Sequence, residues 1–112
     1  IVREKHAPLV FARDAGLEDW VQGAYGILEP RCAPEDWVHE PSNISAVILP
    51  CVGFTRDGYR LGYGGGYYDR TLAHWQAQDW ALPTLIGVAH KEGRVDFAPE
   101  AHDIAMNLIC AV

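Results

Sequence analysis

RLGYGGGYYDR, residues 60–70, places four glycines within five positions and ends on two tyrosines, an aspartate and an arginine. Glycine permits φ > 0 and lets an anion approach the backbone amides without a Cβ in the way. An apolar run precedes this stretch, and Leu72 and Trp75 follow it at helical spacing. The first N–H groups of such a helix would point at the same place with a partial positive charge. The stretch therefore predicts a strand–loop–helix unit that could hold phosphate.

As a generic motif, this loop leaves two interpretations open. It is not a P-loop, because no Gly-Lys-Ser/Thr follows. It is not the dinucleotide fingerprint either, because Tyr67 stands where the third glycine belongs. On spacing alone, a glycine-rich loop packed tightly under a helix is as good an interpretation as an anion site.

Two apolar runs indicate the fold class. Ile44–Pro50 and Pro83–Ala89 are rich in branched apolar residues, the pattern of strands buried on both faces. A helix is predicted from Tyr67, and residues 104–112 predict a last strand. Strand, helix and strand in this order imply a crossover and a mainly parallel sheet, with ligands at the carboxyl ends of its strands. We expect residues 1–112 to form a single α/β domain with a three-layer α/β/α architecture.

The connecting segments predict short elements. Pro8–Ala12 predicts a strand, residues 17–21 predict one helical turn, and Thr55–Gly58 predicts a turn. Glu29–Pro41 holds three prolines and predicts a surface loop, in which Glu35 and Asp36 are read as solvated acids.

Composition limits the classes of function. The chain has 112 residues, 49% of them hydrophobic, and four Trp, which excludes a disordered chain. A formal charge of −6 argues against nucleic-acid or anionic-membrane partners. Three cysteines without CxxC spacing indicate neither a disulfide framework nor a zinc ribbon. Free thiols, with no signal peptide or apolar run of transmembrane length, predict a cytoplasmic protein.

Several polar residues have ordinary interpretations. Asp69 could simply cap the helix or compensate its dipole, and Asp103 could be a turn residue. His74, His90 and His102 lack ligand spacing and are read as surface or core residues.

Taken whole, residues 60–70 closely resemble the signature loop of the 5-formyltetrahydrofolate cyclo-ligases, also called methenyltetrahydrofolate synthetases. Three further segments resemble that family in the same order: Gly26–Pro30 (GILEP), Leu49–Gly58 (LPCVGFTRDG) and Pro99–Asp103 (PEAHD). The four matches extend over most of the chain, so the resemblance implies an ATP-dependent ligase of folate one-carbon metabolism.

The implied reaction converts 5-formyltetrahydrofolate into 5,10-methenyltetrahydrofolate with Mg²⁺ and ATP, and releases ADP and phosphate. ATP phosphorylates the formyl oxygen, N10 attacks the activated carbon, and phosphate leaves. Such a reaction asks the protein mainly for positioning and for neutralisation of the transferred phosphoryl group.

The resemblance also implies site residues. Asp69 and Asp103 would hold Mg²⁺. Arg60, as an electrostatic clamp, and Tyr67, packed on the pterin, would be the catalytic residues. The ATP-binding stretch comprises Arg60, Leu61, Gly62, Tyr63, Gly64, Gly65, Gly66, Tyr67 and Tyr68. The folate-binding stretch comprises Tyr63, Gly64, Gly65, Gly66 and Tyr67. Some family members carry Arg at the position of Tyr63 and Lys at that of Gly65, so phosphate contact here rests more on backbone amides and Arg60.

One part of the family pattern has no counterpart in this chain. Members carry an N-terminal portion with a Lys/Arg pair that contacts ATP and an acidic stretch that contacts folate. We therefore expect the first strands of the sheet to be missing, with an apolar face and an edge exposed for self-association. Two functions follow: the enzyme itself, or a truncated, non-catalytic module that binds nucleotide or folate. Retention of Arg60, Asp69 and Asp103 disfavours a purely structural fragment.

Overall fold

The computed structural model describes residues 1–14, 19–62, 64–101 and 103–112. Its regular elements, in chain order, are β1 (Trp20–Gln22), β2 (Leu28–Pro30), β3 (Ala46–Pro50), β4 (Gly53–Phe54), β5 (Arg60–Leu61), α1 (Tyr67–Ala77), β6 (Thr84–Ala89) and β7 (Leu108–Ala111). Short 3₁₀ turns lie between several of them. No helix in these ranges is long and apolar enough to cross a membrane.

Strands β3, β6 and β7 form a parallel sheet with β6 in the centre. In register, Val47 lies beside Leu85 and Gly87 lies beside Ile109. The chain passes from β3 to β6 through α1, as the order of elements requires. The prediction of an α/β fold with a mainly parallel sheet is confirmed.

The core lies between α1 and one face of this sheet. Leu49 and Leu85 on the sheet pack with Leu72 and Trp75 on the helix, and all four are at most 3% exposed. Each such side chain contributes about 1.5–3 kcal/mol when removed from water. Trp75 also donates its indole N–H to the carbonyl of His39 at 2.9 Å, so the polar atom of this large side chain is satisfied.

The opposite face of the sheet is open in the part of the chain that the structure describes. Ile48 in β3 is 66% exposed and Leu108 in β7 is 57% exposed. Burial alternates along β3 and β6, because the helix covers one face only. The prediction that Ile44–Pro50 and Pro83–Ala89 are buried on both faces is therefore wrong, whereas the exposed apolar face was expected.

Two short antiparallel hairpins were not predicted: β1 with β2, and β4 with β5. The predicted helical turn at 17–21 is wrong for Trp20 and Val21, which lie in β1, while residues 15–18 lie outside the described ranges. The first two residues of the predicted loop Glu29–Pro41 belong instead to β2. These strands have two or three residues, too few for an alternating pattern to show.

Two remaining expectations concern local structure. Pro8–Ala12 forms no strand, because its only ladder contact is the isolated bridge from Phe11 to Val38. The turn at Thr55–Gly58 is confirmed. Gly58 has φ +89° and donates its N–H to the carbonyl of Thr55 at 3.1 Å, which closes the β4–β5 hairpin and brings Arg60 back towards the end of β3.

Candidate functional site

The glycine loop, residues 62–66, connects β5 to the first turn of α1. Gly64 has φ +97° and Gly66 has φ +71°, conformations that side chains disfavour. Gly66 is the N-cap of α1, and no side chain caps the helix there. A glycine at the N-cap has no side chain that could accept from the first-turn amides, a geometry that suits an anion. The predicted strand–loop–helix unit is confirmed.

Arg60 is a buried cation beneath this loop. Its side chain is 5% exposed, and its Nη1 donates to Asp69 Oδ1 at 2.9 Å. Its Nη2 donates to the carbonyl of Pro50 at 3.0 Å, and its Cζ lies 5.6 Å from the ring centroid of Tyr68. A Cβ at Gly62 would lie 2.8 Å from Nη2, so the glycine leaves room for the guanidinium. Arg60 is therefore fixed between the end of β3 and the first turn of α1.

A second arginine lies over the other side of the loop. Arg70 donates from Nη2 to the carbonyl of Gly65 at 2.8 Å, and its Cζ lies 4.8 Å from the ring centroid of Tyr67. The Tyr67 hydroxyl lies 2.9 Å from that of Tyr25. This hydrogen bond raises the pKa of Tyr67 above its ordinary value, and Arg70 opposes the change.

Three cavities lie at the loop or beside it. One of 290 Å³ is lined by Gly62, Gly65, Gly66, Arg60 and both tyrosines of α1. A second of 290 Å³ lies between those tyrosines and Tyr25, Ile27 and Glu29. The GILEP segment, far from the loop in sequence, is thus its neighbour in space. A larger apolar groove of 480 Å³ beside β3 is lined by none of the predicted site residues.

The third cavity, of 350 Å³, contains both predicted metal ligands. Asp69 and Asp103 line it together with Arg60 and Glu100. The Asp69 side chain is 65% exposed, and Asp103 Oδ2 accepts the N–H of Glu100 at 2.8 Å. Carboxylate oxygens are the ligands that Mg²⁺ prefers, with phosphate oxygens and water completing its shell. Within the described ranges, no three His, Cys, Asp or Glu residues lie close enough to hold a metal by themselves. Asp69 and Asp103 therefore fit a magnesium ion whose remaining ligands are phosphate oxygens and water.

Most of the predicted site residues line the first or the third of these cavities. They are Arg60, Leu61, Gly62, Gly64, Gly65, Gly66, Tyr67, Tyr68, Asp69 and Asp103. Tyr63 and His102 lie outside the described ranges. His74 packs against Trp80, and His90 Nδ1 accepts the N–H of Glu92 in a local turn.

The sequence did not point to Tyr25 or Arg70 as contacts of Tyr67. Tyr25 is 42 positions away along the chain and is brought to Tyr67 by the β1–β2 hairpin. Its place directly before the GILEP segment was the available signal. The three cysteines are free, as expected.

Comparison with known proteins gives a consistent picture. The sequence profile of the 5-formyltetrahydrofolate cyclo-ligase family matches residues 3–112. A 5-formyltetrahydrofolate cyclo-ligase of Haemophilus influenzae is 36% identical over 94 residues, which are 84% of this chain and 48% of the relative. One of Saccharomyces cerevisiae is 32% identical over 116 residues, which are 96% of this chain and 53% of the relative. The solved structure of a 5,10-methenyltetrahydrofolate synthetase from Mycoplasma pneumoniae superposes with a TM-score of 0.52 at 40% identity, covering 62% of this chain and 40% of the other. The chain thus spans about half of these relatives or less.

Proposed function

The chain belongs to the 5-formyltetrahydrofolate cyclo-ligase family, and from that premise we propose that it converts 5-formyltetrahydrofolate into 5,10-methenyltetrahydrofolate with Mg²⁺ and ATP. The observation that carries the proposal is the glycine loop at the uncapped N-terminus of α1, with a buried arginine and a carboxylate in contact beside it. Such an arrangement supports binding of a polyphosphate together with its metal.

On the nucleotide side, the amides of Gly64, Gly65 and Gly66 would receive the phosphate oxygens. Arg60 would place a fixed positive charge below them. Bound Mg²⁺, held by Asp69 and Asp103, would supply charge neutralisation at the phosphate oxygens. Because Asp69 and the carbonyl of Pro50 hold Arg60 in place before the ligand arrives, little reorganisation of this cation is needed in the transition state.

On the folate side, the cavity between α1 and the β1–β2 hairpin would receive the pterin. Tyr67 and Tyr68 offer aromatic faces there, and Ile27 adds apolar surface. The hydrogen bond with the Tyr25 hydroxyl would orient the Tyr67 ring towards this cavity. This cavity shares both tyrosines with the phosphate-side cavity, so the two substrates would meet at Tyr67.

The reaction would proceed through a phosphorylated formyl intermediate. The formyl oxygen attacks the γ-phosphorus of ATP, the bond to ADP breaks, and the formyl carbon becomes electrophilic. N10 then attacks that carbon and its proton is released. The carbon–oxygen bond breaks and inorganic phosphate leaves with the former formyl oxygen. The role of the protein is to align the reactants and to neutralise the moving phosphoryl group.

A second candidate is a non-catalytic module that binds nucleotide or folate. It would use the same two cavities, one at the glycine loop and one between α1 and the β1–β2 hairpin, without turnover.

The two candidates are separated by following the near-ultraviolet absorbance of the methenyl product in a mixture of the chain, Mg-ATP and 5-formyltetrahydrofolate. We expect turnover in the wild-type chain and its loss in Asp69→Ala. Asp57→Ala, an exposed aspartate in the β4–β5 turn, is the matched control. Binding of Mg-ATP without turnover would favour the module, and absence of both would contradict each candidate.

A further inference from the structure

Arg70 reaches from α1 back over the glycine loop, so that a cation lies at the N-terminal end of the helix. Its backbone N–H donates to the carbonyl of Gly66 at 2.9 Å, and its Nη2 donates to the carbonyl of Gly65 at 2.8 Å. The positive end of the helix dipole disfavours a cation at this place. The position of Arg70 is therefore unfavourable for the helix by itself, and an anion bound at the loop would reverse the sign of that interaction.

The guanidinium packs directly against the peptide that joins Gly65 to Gly66. A Cβ at Gly66 would lie 2.8 Å from Arg70 Nη1, and a Cβ at Gly65 would lie 3.2 Å from the Tyr67 ring. The centroid of that ring lies 4.8 Å from Arg70 Cζ, so the cation and the ring also contact each other. Glycine at both positions leaves room for this pair of side chains.

The hydrogen bond from Arg70 determines which way the Gly65–Gly66 peptide faces. A trans peptide is planar, with its carbonyl and its N–H on opposite sides. The Gly65 carbonyl faces Arg70, so the Gly66 N–H of the same peptide faces away from it. Both glycines line the phosphate-side cavity of 290 Å³. Arg70 lines none of the three cavities at or beside the loop.

We propose that Arg70 is a positioning residue, which turns the Gly66 N–H towards the phosphate-side cavity and keeps it there for an oxygen of a bound polyphosphate. Between two glycines this peptide could otherwise rotate, because each glycine accepts either sign of φ. In the rotated state the Gly65 carbonyl would face the phosphate and repel it. Arg70 thus acts through the peptide and does not need to touch the ligand. The inference rests on the proposed function for the identity of the anion.

Two simpler roles are open to an arginine at this place. As a charge alone, Arg70 would attract the anion from a distance, and salt would screen that attraction. As a structural contact, it would stabilise the fold without an effect on binding. Positioning differs from both. It predicts weaker binding that persists at high salt, and a Gly66 amide that becomes mobile before any ligand is present.

The first experiment measures the dissociation constant of inorganic tripolyphosphate by calorimetry, at low and at high potassium chloride. Loss of a hydrogen bond from a charged donor changes an equilibrium by about 10-fold or more, and affinity falls with the fraction of the binding-competent state. For Arg70→Gln we therefore expect at least ~5-fold weaker binding at both salt concentrations. Arg56→Gln removes the same charge from an exposed side chain that lines none of these cavities, and at high salt it should leave the constant unchanged.

The second experiment measures ¹⁵N relaxation of the Gly66 amide in the ligand-free chain. In the wild type we expect this amide to be as ordered as α1, with an order parameter of about 0.85, and in Arg70→Gln we expect a clearly lower value. The wild-type measurement does not depend on the folding of a variant. A mobile Gly66 amide in the wild type would overturn the proposal.

The binding data can also overturn it. Unchanged tripolyphosphate affinity in Arg70→Gln would do so, as would a loss that disappears at high salt while Gly66 stays ordered, or absence of tripolyphosphate binding by the wild-type chain. Failure of the proposed function has a different signature. Tripolyphosphate would then bind and respond to Arg70→Gln, which supports the role of Arg70, while Mg-ATP and 5-formyltetrahydrofolate yield no methenyl product.

Discussion

At the scale of single residues, the site depends on side chains that hold each other in place. Arg60 holds Asp69, and Tyr25 holds Tyr67. The family resemblance predicted Arg60, Tyr67 and Asp69 as site residues, because each stands at a matched position of the loop. Their mutual contacts could not be predicted, since a contact depends on how the hairpins fold back, and the sequence patterns carry no such information.

The Tyr25–Tyr67 hydrogen bond gives a prediction for alkaline pH. Tyr25→Phe removes the contact that raises the pKa of Tyr67, so Tyr67 should lose its proton at a lower pH. The stabilisation from this contact is fully present below the ordinary tyrosine pKa of about 10 and is lost as pH rises through the raised value. The check is a titration of ¹³C-labelled tyrosine ring carbons by nuclear magnetic resonance.

The matched control for that titration is Tyr59→Phe, because Tyr59 lies in the β4–β5 turn and lines none of the three cavities at or beside the loop. The Tyr67 signal should titrate in this variant as in the wild-type chain. An unchanged Tyr67 titration in Tyr25→Phe would show that the hydroxyl contact is not maintained in solution.

At the scale of elements, prediction succeeded where a pattern was long enough. β3 and β6 were recognised from apolar runs, α1 from helical spacing, and β7 lies within the predicted last strand. The four strands of the hairpins have two or three residues each, and their pairing depends on turns and on partners distant in sequence. The predicted burial of both sheet faces failed because an apolar run does not say whether a second layer covers it.

The N-terminal segment, residues 1–14, is hydrogen-bonded to α1 through a buried threonine. Thr71 is 2% exposed, donates its hydroxyl to the carbonyl of Tyr67 at 2.7 Å and accepts the N–H of Leu9 at 2.8 Å. Thr71→Val keeps the shape but leaves that N–H without its partner. We expect a loss of about 1–3 kcal/mol in the free energy of unfolding, measured with urea.

Thr84→Val provides the comparison, since Thr84 is exposed at the start of β6. It should change the free energy of unfolding by less than about 0.5 kcal/mol. Equal effects of the two substitutions would contradict the proposed role of Thr71 as a link between segment and helix.

At the scale of the whole molecule, the open face of the sheet is the main feature. Ile48 and Leu108 are exposed on it, and β3 is an edge strand. Contiguous apolar surface of this kind favours association. Self-association through this side of the sheet, a single domain over residues 1–112 and a cytoplasmic location all stay predictions.

Ile48→Lys tests the association directly. We expect the wild-type chain to show concentration-dependent self-association in sedimentation velocity and the variant to shift towards monomer, because a charge on that face would have to be desolvated in the contact. Val52→Lys, at an apolar residue of similar type that is 47% exposed outside the sheet, is the control. A monomeric wild-type chain at all concentrations would contradict this prediction.

The proposed function depends above all on the glycine loop holding the phosphates of Mg-ATP. Amide chemical shifts of the ¹⁵N-labelled chain measure this binding at the loop itself. On titration with Mg-ATP, we expect saturable shifts at Gly64, Gly65 and Gly66, with Gly87 in β6 and Gly93 beyond it unmoved. Adenosine at the same concentrations should leave the loop amides in place, because it carries no phosphate. Shifts confined to other parts of the chain, or none at all, would contradict the claim.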